Sequence, residues 1–224
     1  MDALDFHRRC VNLLRKHVSL GPESIGLDLG CAVGRATFEL ARFCPDVVGI
    51  DYSAQFIKIA THLQKKGFIE FNKINEGRWG EKTRVCVPSG IDRRRVRFLK
   101  GDACRLSSKI GIFDAALLLN LIDRLSDPQL CLLGLSPLIK SGGTVLISSP
   151  YTWLEDFTPK KKWLGGFVAK GKLMKTIDTL KRILGVHFEF VGSHDVPFII
   201  REHQRKFQWS VAQVSLWRKR RDNR

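Results

Sequence analysis

Four short strings hold residues whose type and spacing suit the binding of an adenosine-like ligand. The first is Leu27-Asp28-Leu29-Gly30-Cys31-Ala32-Val33-Gly34. A glycine turn directly after an apolar run lets a ligand reach the backbone, which a Cβ would block. The second is Asp51, 21 residues after Gly30 and followed by Tyr52. A carboxylate at that distance can accept both hydroxyls of a ribose. The third is Gly101-Asp102-Ala103, where Asp102 can take an adenine amino group and the Ala103 N–H can face the ring. The fourth is Asn120-Leu121-Ile122-Asp123, at the end of a long apolar run.

Spacing separates two kinds of cofactor. A dinucleotide site wants G-x-G-x-x-G, with pyrophosphate on a helix N-terminus. Here Ala32 stands at the middle position, and Asp28 inside the turn would repel a pyrophosphate. The acid suits a ligand bearing an ammonium group. S-adenosylmethionine carries an ammonium and a sulfonium and no phosphate, so the strings point to Asp28, Gly30, Ala32, Gly34, Asp51, Tyr52, Asp102, Ala103 and Asn120 as its holders.

These strings need a scaffold that delivers them to one edge. Apolar runs at Ser24–Leu29, Asp46–Ile50, Val96–Lys100, Phe113–Leu121 and Thr144–Ser148 read as strands. Helical spacing marks 3–19, 36–43, 54–66, 127–139 and 173–184. The alternation predicts a mostly parallel sheet with helices on both faces. Phe188–Val191 and Gln208–Trp217 read as a closing antiparallel pair. Residues 68–95 break the rhythm and read as an irregular insertion with one short strand near Arg84–Val87. Residues 150–170 read as an ordered loop or lid. The expected organisation is one α/β domain over residues 1–218, with a Rossmann-like, mostly parallel seven-stranded sheet, a C-terminal antiparallel hairpin and a basic tail at 219–224.

At 224 residues, 44% hydrophobic and 27% charged, the chain has ordinary globular composition. Disorder, collagen and coiled coil are excluded. No run of 18 apolar residues marks a membrane span, and the start lacks the pattern of a signal peptide. A cytoplasmic protein with six reduced, mostly buried cysteines is expected. No clustered ligands suggest a metal. The formal net charge is +16, and residues 151–224 hold 16 Lys/Arg against 7 Asp/Glu. Such an excess permits binding to nucleic acid without proving it.

The strings LDLGCAVGRATFEL, GDACRL and NLIDRL are joined by the aromatic-rich SPYTWLEDFTPKKKWLGG, Asp195-Val196-Pro197-Phe198, Arg201-Glu202 and Arg205-Lys206-Phe207-Gln208-Trp209-Ser210. Together they closely resemble the C-terminal methyltransferase domain of ovothiol synthases, over roughly residues 5–218. The resemblance implies a class I S-adenosylmethionine-dependent enzyme that methylates the imidazole π-nitrogen of 5-thiohistidine (4-mercaptohistidine), the last step of ovothiol biosynthesis. Full-length synthases carry an iron-dependent sulfoxide-forming module ahead of this domain. No such region stands here, so a stand-alone enzyme is expected, taking thiohistidine from another protein and able to associate with the iron-dependent sulfoxide synthase.

Methyl transfer needs the acceptor nitrogen held on the methyl axis with a free lone pair. Asp123 is the first candidate for handling the ring proton, with Asn120 to fix the tautomer; an ion pair with Arg124 or a helix cap accounts for Asp123 equally well. Tyr151 and Trp153 can stack on the thioimidazole or simply pack a lid. Arg201 can clamp the acceptor carboxylate and Glu202 its ammonium, or the two can be an ordinary exposed pair. Lys206 and Trp209 lie where a last hairpin would fold over the site. The rival readings are an RNA methyltransferase, suggested by the charge and by Arg93-Arg94-Arg95, a non-catalytic cofactor-binding partner protein, and a protein-histidine methyltransferase.

Overall fold

The computed structural model describes residues 3–221. Eleven strands follow in chain order: β1 (Ile25–Leu29), β2 (Asp46–Asp51), β3 (Phe68–Glu76), β4 (Trp79–Cys86), β5 (Val96–Lys100), β6 (Phe113–Leu119), β7 (Ile139–Ser149), β8 (Phe167–Ala169), β9 (Lys172–Met174), β10 (Phe188–His203) and β11 (Lys206–Lys219). The helices are α1 (Phe6–Arg15), α2 (Arg35–Leu40), α3 (Ala54–Lys66), α4 (Pro128–Leu133) and α5 (Thr176–Leu184). Seven strands form one sheet in the order β10-β11-β7-β6-β1-β2-β5. β1, β2, β5, β6 and β7 run parallel, while β11 is antiparallel to both β7 and β10. The expected mixed sheet with its C-terminal antiparallel pair is therefore present.

Strand alternation divides the core in two. Leu27, Leu29, Val48, Ile50, Ala116 and Leu118 face α4, α5 and the segment after β7. Val47, Ala115, Leu117 and Leu146 face α1 and α2, where Phe38 and Leu14 are fully enclosed. Truncating a side chain such as Phe38 to alanine costs about 3–5 kcal/mol. Both faces are covered over the central strands, which explains why β2, β6 and the second half of β7 read as apolar runs, while the edge strand β5 stays largely exposed.

Two expectations need correction. Residues 68–95 are not irregular. β3 and β4 form an antiparallel hairpin turned at Gly77, whose φ is +53°. Its strands expose most side chains on both faces, so no apolar alternation marks them in sequence. The C-terminal pair is also far longer than expected. Only Gln213–Arg218 pair with β7, so residues 196–212 project past the sheet as a two-stranded arm. Val196 and Phe198 turn this arm back onto the α1 side, with the Phe198 ring centroid 5.1 Å from that of Phe6. The arm tip then meets the β3–β4 hairpin. Arg201 donates to Asn75 Oδ1 at 2.9 Å, and the Gln204 N–H donates to the Asn75 carbonyl at 3.2 Å.

Smaller differences lie at element ends. The helix expected over 127–139 is α4 followed by a short 3-10 turn at Ser136–Leu138, and the segment 150–170 ends in the two-residue-turn hairpin β8–β9. Lys219, expected in a tail, pairs with Phe188 and donates to Ser136 Oγ at 2.7 Å; residues 222–224 of that tail lie outside the described residues.

Candidate active site

The carboxyl ends of β1, β2, β5 and β6 open into a cleft of about 690 Å³. Gly30, Asp51, Tyr52, Asp102, Ala103 and Asn120, all expected from sequence, line it together. Gly30 has φ +77°, and a Cβ there would lie 2.7 Å from Leu121 Cδ1. The backbone angle favours glycine, and any Cβ would also have to displace the Leu121 side chain. Gly34 starts α2 with φ +91°. Between them Ala32 is forced to φ +46°, a strained angle for a residue with a Cβ.

Asp51 explains that strain. Its Oδ2 accepts the Ala32 N–H at 2.9 Å, and its Oδ1 accepts the Ser53 N–H at 2.8 Å. One carboxylate therefore ties the first glycine turn to the start of α3, and each oxygen keeps a further lone pair for a ligand hydroxyl. Asp102 is fixed in the same way, its Oδ1 accepting the Cys104 N–H at 2.8 Å. Asn120 has φ +51°, donates its N–H to the Ser148 carbonyl at 2.9 Å, and accepts the Ser148 hydroxyl on Oδ1 at 3.0 Å.

Asp28 is placed differently from expectation. It lies fully enclosed beneath the turn, with Oδ2 accepting the Thr37 hydroxyl at 2.6 Å, and does not line the cleft. Burial, helped by the nearby Asp51 charge, pushes its pKa up to about 6. Its place is structural support for the turn rather than contact with an ammonium. The neighbouring Cys31 is buried, and desolvation with the Asp28 and Asp51 charges raises its thiol pKa, so it is no nucleophile.

The substrate-side candidates divide sharply. Asp123 is 1% exposed and spends both oxygens inside the fold. Oδ1 accepts from Ser149 Oγ at 3.0 Å and Oδ2 from the Thr152 N–H at 3.1 Å. Burial lifts its pKa above the ordinary carboxylate range. It anchors the turn after β7 and does not line the cleft. Tyr151, at φ +56°, donates its hydroxyl to Gln213 Oε1 at 2.8 Å, locking that turn to the base of the arm. Trp153 is buried, donates to Thr176 Oγ1 at 3.1 Å and stacks on Trp163. It packs the lid rather than a substrate. Arg201, Glu202 and Lys206 lie together at the arm tip, while Trp209 pairs with Ile199 further down the arm. Arg201 is held by Asn75, Glu202 by Lys206 and Gln208 at 2.7 Å each, and Trp209 is exposed.

Sequence reasoning missed Arg124, Asp156 and Phe157 as lining residues. Arg124 donates to the Thr152 carbonyl at 3.1 Å, and its guanidinium lies 4.8 Å from the Phe157 ring centroid. This pins the lid over the open side of the cleft. The signal lay in the string NLIDRL, where Arg124 stands beside the residue that drew attention.

The ionisable groups of the cleft decide its preference. Asp51, Asp102 and Asp156 face a single guanidinium, Arg124. That balance repels a pyrophosphate and fits a ligand with positive charge and ribose hydroxyls. S-adenosylmethionine meets each demand, so the residues present fit it.

A second cleft of about 370 Å³ shares one lining residue, Asn120, with the first. Its other walls are residues 3–7, Arg35 and residues 198–200 of the arm.

Comparison with known proteins agrees with the geometry. No curated protein matches the chain in sequence. Among solved structures, the YcgJ protein of Bacillus subtilis superposes with a TM-score of 0.62 at 13% identity, covering 97% of this chain and 100% of that one. The N-methyltransferase NodS of Bradyrhizobium japonicum, solved with S-adenosyl-L-homocysteine, gives 0.59 at 19% identity over 96% and 88%. A SAM-dependent methyltransferase of Methanosarcina mazei gives 0.60 at 18% over 94% and 98%. These likenesses establish a shared fold. The family model for a methyltransferase domain matches residues 22–184, from before β1 to the end of α5, and the chain therefore belongs to the methyltransferase domain family.

Proposed function

We propose that this S-adenosylmethionine-dependent methyltransferase acts on the imidazole π-nitrogen of 5-thiohistidine, completing ovothiol. The observation that carries the reading is the presence of two clefts that share Asn120: a carboxylate-rich one that suits the donor and a small one that suits a single acceptor molecule. The thiohistidine assignment is supported by the resemblance of the strings around SPYTWLEDFTPKKKWLGG to the methyltransferase domain of ovothiol synthases.

Asp51 would receive the ribose hydroxyls, Asp102 and the Ala103 N–H the adenine edge, and the Gly30 backbone the chain of the donor. When bound, S-adenosylmethionine supplies a methyl carbon on a sulfonium, which a nitrogen lone pair displaces as the C–S electron pair leaves on sulfur. The protein's share is positional. Asn120, fixed by Ser148, lines both clefts, and Phe157 with Asp156 keeps water from the donor side. On the same reading the enzyme is cytoplasmic, takes thiohistidine supplied by another protein, and associates with the iron-dependent sulfoxide synthase. The domain extends over residues 1–218, with the 68–95 hairpin buttressing the arm and 150–170 serving as lid.

The basic surplus does not gather at this site. Lys140, Arg218, Arg220 and Arg221 cluster around the start of β7, at the sheet edge opposite the donor cleft. The test is mass spectrometry after incubation with labelled S-adenosylmethionine and 5-thiohistidine, histidine or bulk tRNA. Label on 5-thiohistidine with little on histidine is expected. Label on RNA alone, or cofactor binding without transfer to any of the three, overturns the reading.

A further inference from the structure

Asp5 occupies the N-cap position of α1, where an aspartate ordinarily accepts a backbone N–H from the first turn. It makes no such bond, and its φ is +52°. Its Oδ1 instead takes Arg35 Nη2 at 3.2 Å. A strained backbone that directs a side chain away from its local partner marks a constrained position. Arg35 is itself placed from below: Glu39, 1% exposed, lies 3.1 Å from the same guanidinium. Arg35 and Asp5 side chains keep 36% and 59% exposure. An ion pair this open contributes little stability and is readily exchanged for the charges of a ligand.

Both residues line the second cleft, together with His7, Asn120 and the arm residues Phe198, Ile199 and Ile200. The cleft thus offers a cation and an anion side by side, while the arm contributes only apolar residues to its lining. The volume, about 370 Å³, suits one small molecule rather than a nucleotide within a strand.

We propose that this cleft is the acceptor site and takes a small α-amino acid with a heteroaromatic side chain: Arg35 receives its carboxylate, Asp5 its ammonium, Phe198 and Ile200 wall its ring, and His7 accepts the ring N–H. The proposal rests on the methyl-transfer reading above and specifies its acceptor. It also moves the amino-acid clamp from Arg201 and Glu202, which are engaged at the arm tip, to Arg35 and Asp5. His7 suits its part. Solvent still reaches the ring, but crowding within the cleft wall and the Arg35 charge lower its pKa against the opposing pull of Glu39 and Asp5, while the arm residues facing the cleft, Phe198, Ile199 and Ile200, bring no charge. A neutral imidazole accepting one ring N–H fixes the tautomer and leaves the lone pair on the other nitrogen.

The test is calorimetric titration of the full chain saturated with S-adenosylhomocysteine. The probes are 5-thiohistidine, its decarboxylated amine and its deaminated acid. The unmodified protein is expected to prefer the amino acid over the amine by about 10–100-fold, the worth of one charge-assisted contact. Arg35→Gln should erase that preference and leave the amine within about 3-fold of its original affinity, a selective change that general damage does not produce. Asp5→Asn, the milder variant, should erase the preference over the deaminated acid instead. Unchanged preferences in both variants overturn the proposal, as does equal binding of all three probes by the unmodified protein. If no methyl reaches 5-thiohistidine, the reading above fails by itself. The clamp is then judged with L-histidine and the other common amino acids: binding lost in Arg35→Gln supports it, and no binding of any amino acid overturns it.

Discussion

The two clefts that share Asn120 are assembled in opposite ways. The donor cleft comes from strand ends and the turns that directly follow them: Gly30 after β1, Asp51 at the end of β2, Asp102 after β5 and Asn120 after β6. Each turn is short, and the parallel sheet sets their relative positions. The acceptor cleft draws on residues 3–7, Arg35, Asn120 and the arm at 198–200, so its walls come from both ends of the chain. A sheet edge makes a site from local rules, whereas packing a distant arm onto a first helix makes one from tertiary contacts alone. The donor half should therefore fail one residue at a time, and the acceptor half should fail as a unit.

The largest expected effect is in the donor half. Asp51 joins the Ala32 and Ser53 N–H groups and retains acceptor capacity on both oxygens. Asp51→Ala should weaken S-adenosylmethionine by about 100-fold or more, from the loss of charge-assisted bonds and of turn geometry. Thermal unfolding should move far less, since the strands beneath are unaffected. Calorimetry on the variant checks this, and donor affinity within about 3-fold of the original would break the assignment.

The next effect lies beneath the same turn and reads out as pH dependence. Asp28 has an ordinary carboxyl pKa when unfolded and one of about 6 when folded. A raised folded pKa means that ionisation opposes folding. The cost is absent below about pH 4, grows between pH 4 and 6, and is constant above, reaching about 2–3 kcal/mol for a fully enclosed group. Asp28→Asn can still accept the Thr37 hydroxyl but cannot ionise. Any penalty from its amide is the same at every pH. The variant should therefore gain on the parent by about 2 kcal/mol between pH 4 and 7.5, measured by denaturant unfolding. A difference that stays flat across this range would show that Asp28 is not the titrating group.

What could be read from the sequence follows the same division. Gly30, Asp51, Asp102 and Asn120 were legible because strand-to-turn junctions leave local marks: an apolar run, then a glycine or an acid at a set distance. Asp123 was half legible. Its position after β6 was right, but whether its carboxylate faces a cleft or the Ser149–Thr152 turn depends on a 3-10 turn at Ile122–Arg124 that no periodicity announces. The β3–β4 hairpin escaped because its strands are exposed on both faces and so carry no apolar alternation. Of the long C-terminal pair only Phe188–Val191 and Gln208–Trp217 were seen, since His194–Asp195 and the polar run at Arg201–Lys206 interrupt the pattern. The Asp5–Arg35 pair spans 30 residues, and only the fold brings it together.

The smallest effect tests the junction that closes the acceptor half. Asn75 is 6% exposed and carries two contacts across to the arm, from Arg201 to its side chain and from the Gln204 N–H to its carbonyl. Replacing it with alanine removes the first contact and keeps the second, since the carbonyl belongs to the backbone. The Arg201 guanidinium then loses an acceptor at a partly open site, where a hydrogen bond from a charged donor contributes about 1–2 kcal/mol at most. Because Phe198 and Val196 still pack the arm on Phe6, the arm should stay docked but loosen at its tip. Ile199 and Ile200, next to Arg201, would then hold the acceptor less firmly. Asn75→Ala should raise KM for the acceptor by about 3–10-fold, with donor affinity and kcat little changed. If donor affinity falls in parallel, the two clefts are coupled through the arm and the division between them is wrong; if neither moves, the junction only trims the fold.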